Sequence, residues 1–426
     1  MIPALLADTV ATVVVADHSE TRARIVAGAD VGVDLSTSPT GRFELRGRDA
    51  SVYASYAPLL TVRQLGPQAT PEALQNWGAG ASWRGRAVRI SLMQSGSWGD
   101  QNYTYLVGAV PLPGQAAAPP QLLPGYAGAL KFGSSQTVLS AGARAGKRAW
   151  LTATTSLYVG GGVDDLAKEL IPPQVTPREE VALDLTASRR DHVILHAGAS
   201  SATFFTRVCD LTNGGPRPGF VASTNKREEY RSRWVGVCRS DIEQLDAGLS
   251  WRRAVDRRTT LTLSAGGTSA RSYLEGEGTS IFAIVPARTR FYPTGGAELV
   301  HKLAVARPNA SRFEASARVA PIVDARLGVV DPRLFVELRN VTRAFQHASF
   351  KAEVDFSQTV PPSEPRAISL FSWIGEGTWA LDKRFDVGVS VRGSWQRQST
   401  ILEGGFFSVL AAAFLEYHEP TLRLWP

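Results

Sequence analysis

The 426-residue chain contains no uninterrupted apolar run of about 18 residues, which excludes a bundle of transmembrane helices. It has only two cysteines, Cys209 and Cys238, and neither neighbourhood has metal-ligand spacing. No Gly-x-Ser-x-Gly elbow occurs. The six histidines are His18, His192, His196, His301, His347 and His418. His192 and His196 fall on one face of a strand, but that spacing separates them by about 13 Å, too far to share a metal. No repeat of about 40–50 residues with a fixed motif is present, which argues against a soluble propeller. The sequence therefore predicts no enzyme, no cofactor and no metal. The acidic loop pairs Asp164–Asp165 and Glu275 with Glu277 read as solvated side chains. The net charge of +7 is not gathered into one patch, which argues against a nucleic-acid binder.

What is present in quantity is period-two alternation. In residues 243–252, Leu245, Ala247, Leu249 and Trp251 alternate with Gln244, Asp246, Ser250 and Arg252. In 346–356, Phe350, Ala352, Val354 and Phe356 alternate with Ser349, Lys351, Glu353 and Asp355. Residues 385–396 repeat the pattern, with Val387, Val389 and Val391 set against Asp386, Ser390 and Arg392. At helical spacing these apolar residues would scatter round the axis, so the segments read as strands.

Short charged turns join the strands in pairs: 46–49 (RGRD), 84–86 (RGR), 145–148 (AGKR), 189–191 (RRD), 255–258 (VDRR) and 382–384 (DKR). Longer connections, among them 64–74, 99–124, 161–178, 207–242 and 274–293, separate the pairs. Short turns on one side and long loops on the other are the signature of an outer-membrane barrel. The reading is an all-β, antiparallel up-and-down transmembrane barrel of about eighteen strands in contact with outer-membrane lipid. The first strands are expected at 22–36, 42–48 and 51–63, and the last at 405–425. An even count puts both termini on the short-turn, periplasmic side. Residues 1–8 (MIPALLAD) resemble the end of a secretory signal. Residues 1–21 are thus expected as an N-terminal segment, with the barrel at 22–426. Trp83, Trp98, Trp150, Trp251, Trp373, Trp379 and Trp395 near strand ends suggest interfacial girdles.

If the apolar faces meet lipid, the polar faces line the lumen. The expected lining is Asp30, Asp34, Glu44, Arg46, Asp246, Arg252, Arg312, Glu314, Arg318, Arg333, Glu337, Arg339, Lys351, Glu353, Asp355, Asp386 and Arg392. Both signs are interleaved, and eighteen strands can leave an aqueous channel. Cys209 and Cys238 fall in one long loop; a disulfide there and two unrelated thiols both fit.

The first hundred residues carry a further signal. Residues 42–48 (RFELRGR) lead into 51–65 (SVYASYAPLLTVRQL). A Pro-Glu-Ala-Leu segment at 71–74, Trp83-Arg84-Gly85-Arg86 and 89–101 (RISLMQSGSWGDQ) follow. This stretch resembles the eighteen-stranded outer-membrane barrels that pair with short polysaccharide export proteins. The resemblance implies a conduit for exopolysaccharide, completed by a periplasmic export protein. Arg257, Arg258, Lys383 and Arg384 on the short-turn rim are the expected docking residues. The competing readings are a general diffusion porin, expected to carry an inward-folded constricting loop, and a barrel adhesin or scaffold with a plugged lumen.

Overall fold

The computed structural model describes residues 10–26, 30–63, 69–102, 129–164, 167–168, 171–206, 238–276, 285–303, 311–324, 329–343, 347–360, 368–398, 406–419 and 422–423. Its strands are β1 (Val10–Val26), β2 (Asp30–Arg46), β3 (Ala50–Tyr56), β4 (Leu59–Arg63), β5 (Thr70–Arg84), β6 (Val88–Asn102) and β7 (Ala129–Arg144). There follow β8 (Ala149–Gly162), β9 (Gln174–Thr186), β10 (Asp191–Thr206), β11 (Cys238–Ala254), β12 (Thr259–Gly276) and β13 (Val285–Lys302). The chain finishes with β14 (Arg312–Asp324), β15 (Val329–Arg343), β16 (Ala348–Thr359), β17 (Ile368–Ala380), β18 (Phe385–Gln398), β19 (Phe406–His418) and β20 (Leu422–Arg423).

Apart from β3–β4 and β19–β20, each strand pairs antiparallel with its sequence neighbour, and β19 pairs with β1, so the sheet closes on itself. β3 and β4 are halves of one stave: both pair with β2 and with β5 in an unbroken register. β20 continues β19 along β1 after a one-residue slip. Twenty segments thus make eighteen staves, as the alternation predicts. The interruption in the third stave has a local cause. The register that pairs Gly41 with Tyr56 and Thr37 with Leu60 would set Pro39 opposite Pro58. Neither proline has an N–H to donate, so the ladder skips that rung.

The start of the barrel differs from expectation. Residues 22–36 are not one strand; they span the β1–β2 hairpin, and the wall begins at Val10 rather than at residue 22. Thr21, Ala23 and Ile25 alternate with Glu20, Arg22 and Arg24 in β1, but that alternation runs straight into the equally regular start of β2. The segment between, 27–29, has no strong turn signal beyond one glycine. Residues 1–8 lie outside the described residues.

The outward face is apolar. Val389 is 62% exposed, and Leu245, Leu92, Phe350 and Leu139 share that face on other strands. Trp83, Trp251 and Trp379 gather near the short-turn rim, while Trp98 and Trp395 lie toward the opposite rim. Trp150 is a correction. Its register partners Arg144 and Asp184 are inward-facing, so it lines the lumen rather than joining a girdle. A closed barrel with such an outer belt pairs its strand edges with one another around the ring and spans a membrane. Both ends of the wall, Val10 and Arg423, lie at the short-turn rim.

Placing a charge on this belt should be costly. Val389→Arg is expected to destabilise the barrel by about 2–4 kcal/mol. Ser264→Arg, at an exposed position on the inner face, should cost little. Ser390, inward but only 2% exposed, has too little room for the same comparison. Urea titration of the two variants in detergent checks the difference, and equal losses would mean the faces are exchanged.

Candidate functional site: the lumen and its basic rim

Where their side chains are described, the residues expected at the lumen lie on the inward parity of their strands. Asp34, Glu44 and Arg46 alternate with outward Val33, Leu35 and Phe43. Asp246 and Arg252 alternate with Leu245 and Leu249. Arg312, Glu314 and Arg318 on β14 face Arg333, Glu337 and Arg339 on β15, then Lys351, Glu353 and Asp355 on β16. Asp386 and Arg392 share the inward face of β18 with Ser390. Asp30 opens β2, and only its backbone is described.

Most of these charges are paired along the wall. Glu44 accepts from Arg46 at 2.7 Å and from Arg42 at 3.4 Å. Across β14–β16 a chain of contacts runs from Arg312 to Glu314 (3.0 Å), on to Arg339 (3.9 Å), to Glu353 (3.9 Å) and to Lys351 (3.2 Å). Arg318 meets Glu337 at 3.8 Å. Asp355 accepts from the Ser372 hydroxyl at 3.4 Å. Pairing of this kind, both along one strand at i,i+2 and across to the next, neutralises the wall locally. Since most of these groups are a third or more exposed, the pairs add little to stability.

Several lumen groups escape the sequence reading. Arg178 completes Asp246 at 3.6 Å. His18, Glu20 and Arg22 sit on β1; His18 and Glu20 fall in the stretch 1–21 expected as an N-terminal segment, and Arg22 at the start of the expected first strand. Glu20 contacts Arg22 at 2.7 Å, and Glu416 contacts His18 at 2.9 Å. The alternation of these residues with Ser19, Thr21 and Ala23 was the available signal. Among the described residues, Asp386, Glu416 and His418 bring one ligand-type atom each within 4.8 Å of one another. His418 already pairs with Asp386 at 3.4 Å and Glu416 at 3.6 Å, which accounts for the cluster without a metal.

Aromatic rings join the arginines on the inner wall. The Arg42 guanidinium stacks 4.6 Å from the Tyr53 ring centre, and Arg89 stacks 4.4 Å from that of Trp150. Each ring lies flat across a neighbouring glycine. A Cβ at Gly80 would stand 2.5 Å from Tyr53, and one at Gly142 would stand 2.6 Å from Trp150. Such cation–π stacks hold the rings against the wall and out of the channel.

The short-turn rim is basic by construction. Asp256 accepts the backbone N–H groups of Arg258 (2.6 Å) and Thr259 (2.7 Å). Asp382 does the same for Arg384 (2.6 Å) and Phe385 (2.8 Å), and Ser188 for Arg190 and Asp191 (3.0 Å each). The acidic or hydroxyl side chain thus folds back on its own turn, an Asx-type closure. The basic pairs Arg257–Arg258, Lys383–Arg384 and Arg189–Arg190 are left projecting, all exposed. Lys147, Arg148 and Arg86 extend the ring on other turns. Cys209 lies outside the described residues, and of Cys238 only the backbone at the start of β11 is described, so their pairing does too. The terminal Trp425-Pro426 is likewise outside them.

An outer-membrane β-barrel with a polar, charge-paired lumen is the class these features define. Residues 6–212, from before β1 through β10, match the EpsX exopolysaccharide export family; the match spans just under half of the chain. It covers all the segments quoted above for the resemblance. No curated protein is similar enough to match the chain. Among solved structures, the chain is similar to the ferric-catecholate import receptor Fiu from E. coli K12. The identity is 7%, covering 95% of this chain and 81% of that one at a TM-score of 0.48. It is also similar to Pseudomonas aeruginosa OccK3 (11% identity, 100% and 98% covered, TM-score 0.46) and OccK5 (10%, 99% and 99%, 0.45).

The turn geometry has a pH signature. The N–H groups of Arg258 and then Thr259 hold the Asp256 carboxyl below its ordinary range, and those of Arg384 and Phe385 do so for Asp382. A depressed folded value means that the closure is at full strength above the free-carboxylate range, near pH ~4. It is lost as pH falls through the depressed value. The NMR amide shifts of Arg258 and Thr259 should therefore hold on acidification until below that range. Asp256→Ala should abolish the closure at every pH while leaving Arg384 and Phe385 unchanged.

Proposed function

We propose that the barrel is the outer-membrane conduit for a secreted polysaccharide and works with a periplasmic export protein. The observation that carries this reading is the match of residues 6–212 to an exopolysaccharide export family. The lumen chemistry supports it. A glycan is long, hydrated and often acidic, so its path needs hydrogen-bonding groups without a strong field of one sign. The paired charges across β14–β16 and the wall-held Tyr53 and Trp150 meet that need. The barrel is a passage and no enzyme in this reading: the polymer slides and no bond is made or broken.

The short-turn rim faces the periplasm and docks the export protein. Its exposed Arg257, Arg258, Lys383 and Arg384 favour an acidic partner surface, an attraction that acts mainly on encounter and weakens with salt. A general diffusion porin is the second reading. One observation favours it: the upper part of the β14–β15 hairpin packs on the inner face of the wall, as a constricting segment would.

Deletion of the protein should remove surface polysaccharide while intracellular synthesis continues. Normal surface polysaccharide with altered uptake of small solutes would favour the porin. Charge reversal at Arg257, Arg258, Lys383 and Arg384 should weaken pull-down of the export protein and leave the barrel's heat-modifiable gel shift intact. Undiminished pull-down would remove the rim as the docking face.

A further inference from the structure

β13 and β14 part company before either strand ends. They pair only from Gly295 opposite Val319 to Lys302 opposite Arg312. Beyond that level β13 continues to Val285 with β12 as its partner, and β14 continues to Asp324 with β15. The sequence supplies the cause. In the same register the next outward-facing rung would oppose Pro293 to Pro321, and Pro321 is itself paired with Pro332 on β15. Three prolines therefore stand side by side, and the rung between β13 and β14 has no N–H from either.

The freed end of the hairpin is folded into the barrel. Val323 and Val330 oppose each other on the face that carries Val319 and Leu334 lower down, which is the lipid-facing parity. At this level that face meets protein. Val330, only 5% exposed, packs in one buried cluster with Ala202, Phe204, Ile242, Ala270 and Tyr292, and Val323 borders it. Those five are inward-facing residues of β10, β11, β12 and β13. The hairpin's outer face thus lies on the inner face of the wall. The Tyr292 hydroxyl donates to the Val330 carbonyl at 2.8 Å and fixes the contact. Phe204 and Ile242, at 2% and 1% exposed, show how closely the joint is packed.

We propose that the upper β14–β15 hairpin is a fixed constriction that sets the cross-section of the passage. It would admit an extended, unbranched hydrophilic chain and reject bulkier solutes. The proposal rests on the reading of the barrel as a passage. It assigns the selecting role to Ala320–Val323 of β14 and Val330–Arg333 of β15, held by Tyr292 and the cluster beneath. A fixed element follows from the packing: undocking it would expose the apolar cluster to the water-filled lumen.

Planar-bilayer recordings in KCl, with neutral polyethylene glycols of increasing size as probes, test it. One variant replaces residues 320–333 by an Asn-Gly turn joining Val319 to Leu334. A second, Val330→Asp, keeps the chain length and puts a charge into the apolar joint. Both are first checked for the heat-modifiable band of a folded barrel. The expected result is a severalfold larger single-channel conductance and a larger polymer cut-off in both variants. If the wild type and both folded variants conduct equally, the constriction is overturned and the passage reading stands. If none conducts, the passage reading falls and the constriction with it.

Discussion

A membrane offers no water to complete an unpaired backbone group, and the whole architecture follows from that. A strand crossing lipid must be flanked on both edges, so the first stave has to find the last. The β1–β19 pairing from Ala16–His418 to Val26–Ser408 supplies this closure. It also fixes which way every other side chain points. Once one register is set, the period-two pleat carries the inside–outside assignment from stave to stave, and a slip of one residue would exchange lipid and lumen faces. The agreement of parity from Leu35 on β2 through Val389 on β18 reflects that single constraint.

The lumen then solves a second problem. A water-filled bore through a membrane protein must be polar, yet a field of one sign would trap any charged polymer. The inner wall answers with pairs rather than with fewer charges: Glu44 between Arg42 and Arg46, Glu314 between Arg312 and Arg339, Glu353 between Arg339 and Lys351. Strong charge is kept for the short-turn rim. There the acids are turned back onto backbone N–H groups and the bases are left outside.

The strand count and the facing of the lumen residues were legible because both depend on local alternation, as in Asp386–Ser390–Arg392 set against Val387–Val389–Val391. What escaped depends on partners distant in sequence. Trp150 has the composition of a girdle residue, and only its register with Arg144 and Asp184 sends it inward. Strands also run further than the pattern suggests. β9 begins at Gln174 and β13 at Val285, where polar residues such as Arg178, Glu179 and Glu180 occupy both faces and the period disappears. The inward hairpin was unreadable for a related reason. Val323 and Val330 look like ordinary lipid-facing residues, and their use against Tyr292 and Ala270 follows from a fold-level bend. The opposed prolines that permit the bend lie 28 positions apart in the sequence, Pro293 and Pro321.

Those prolines matter before the barrel is finished as well as after. While the chain is assembling, the upper edges of β13 and β14 have no partner, and an unpaired edge is a template for joining another molecule. A proline on each edge removes a donor at the level where such a foreign strand would begin to add. The feature that releases a hairpin into the pore thereby also keeps two exposed edges from becoming a point of aggregation.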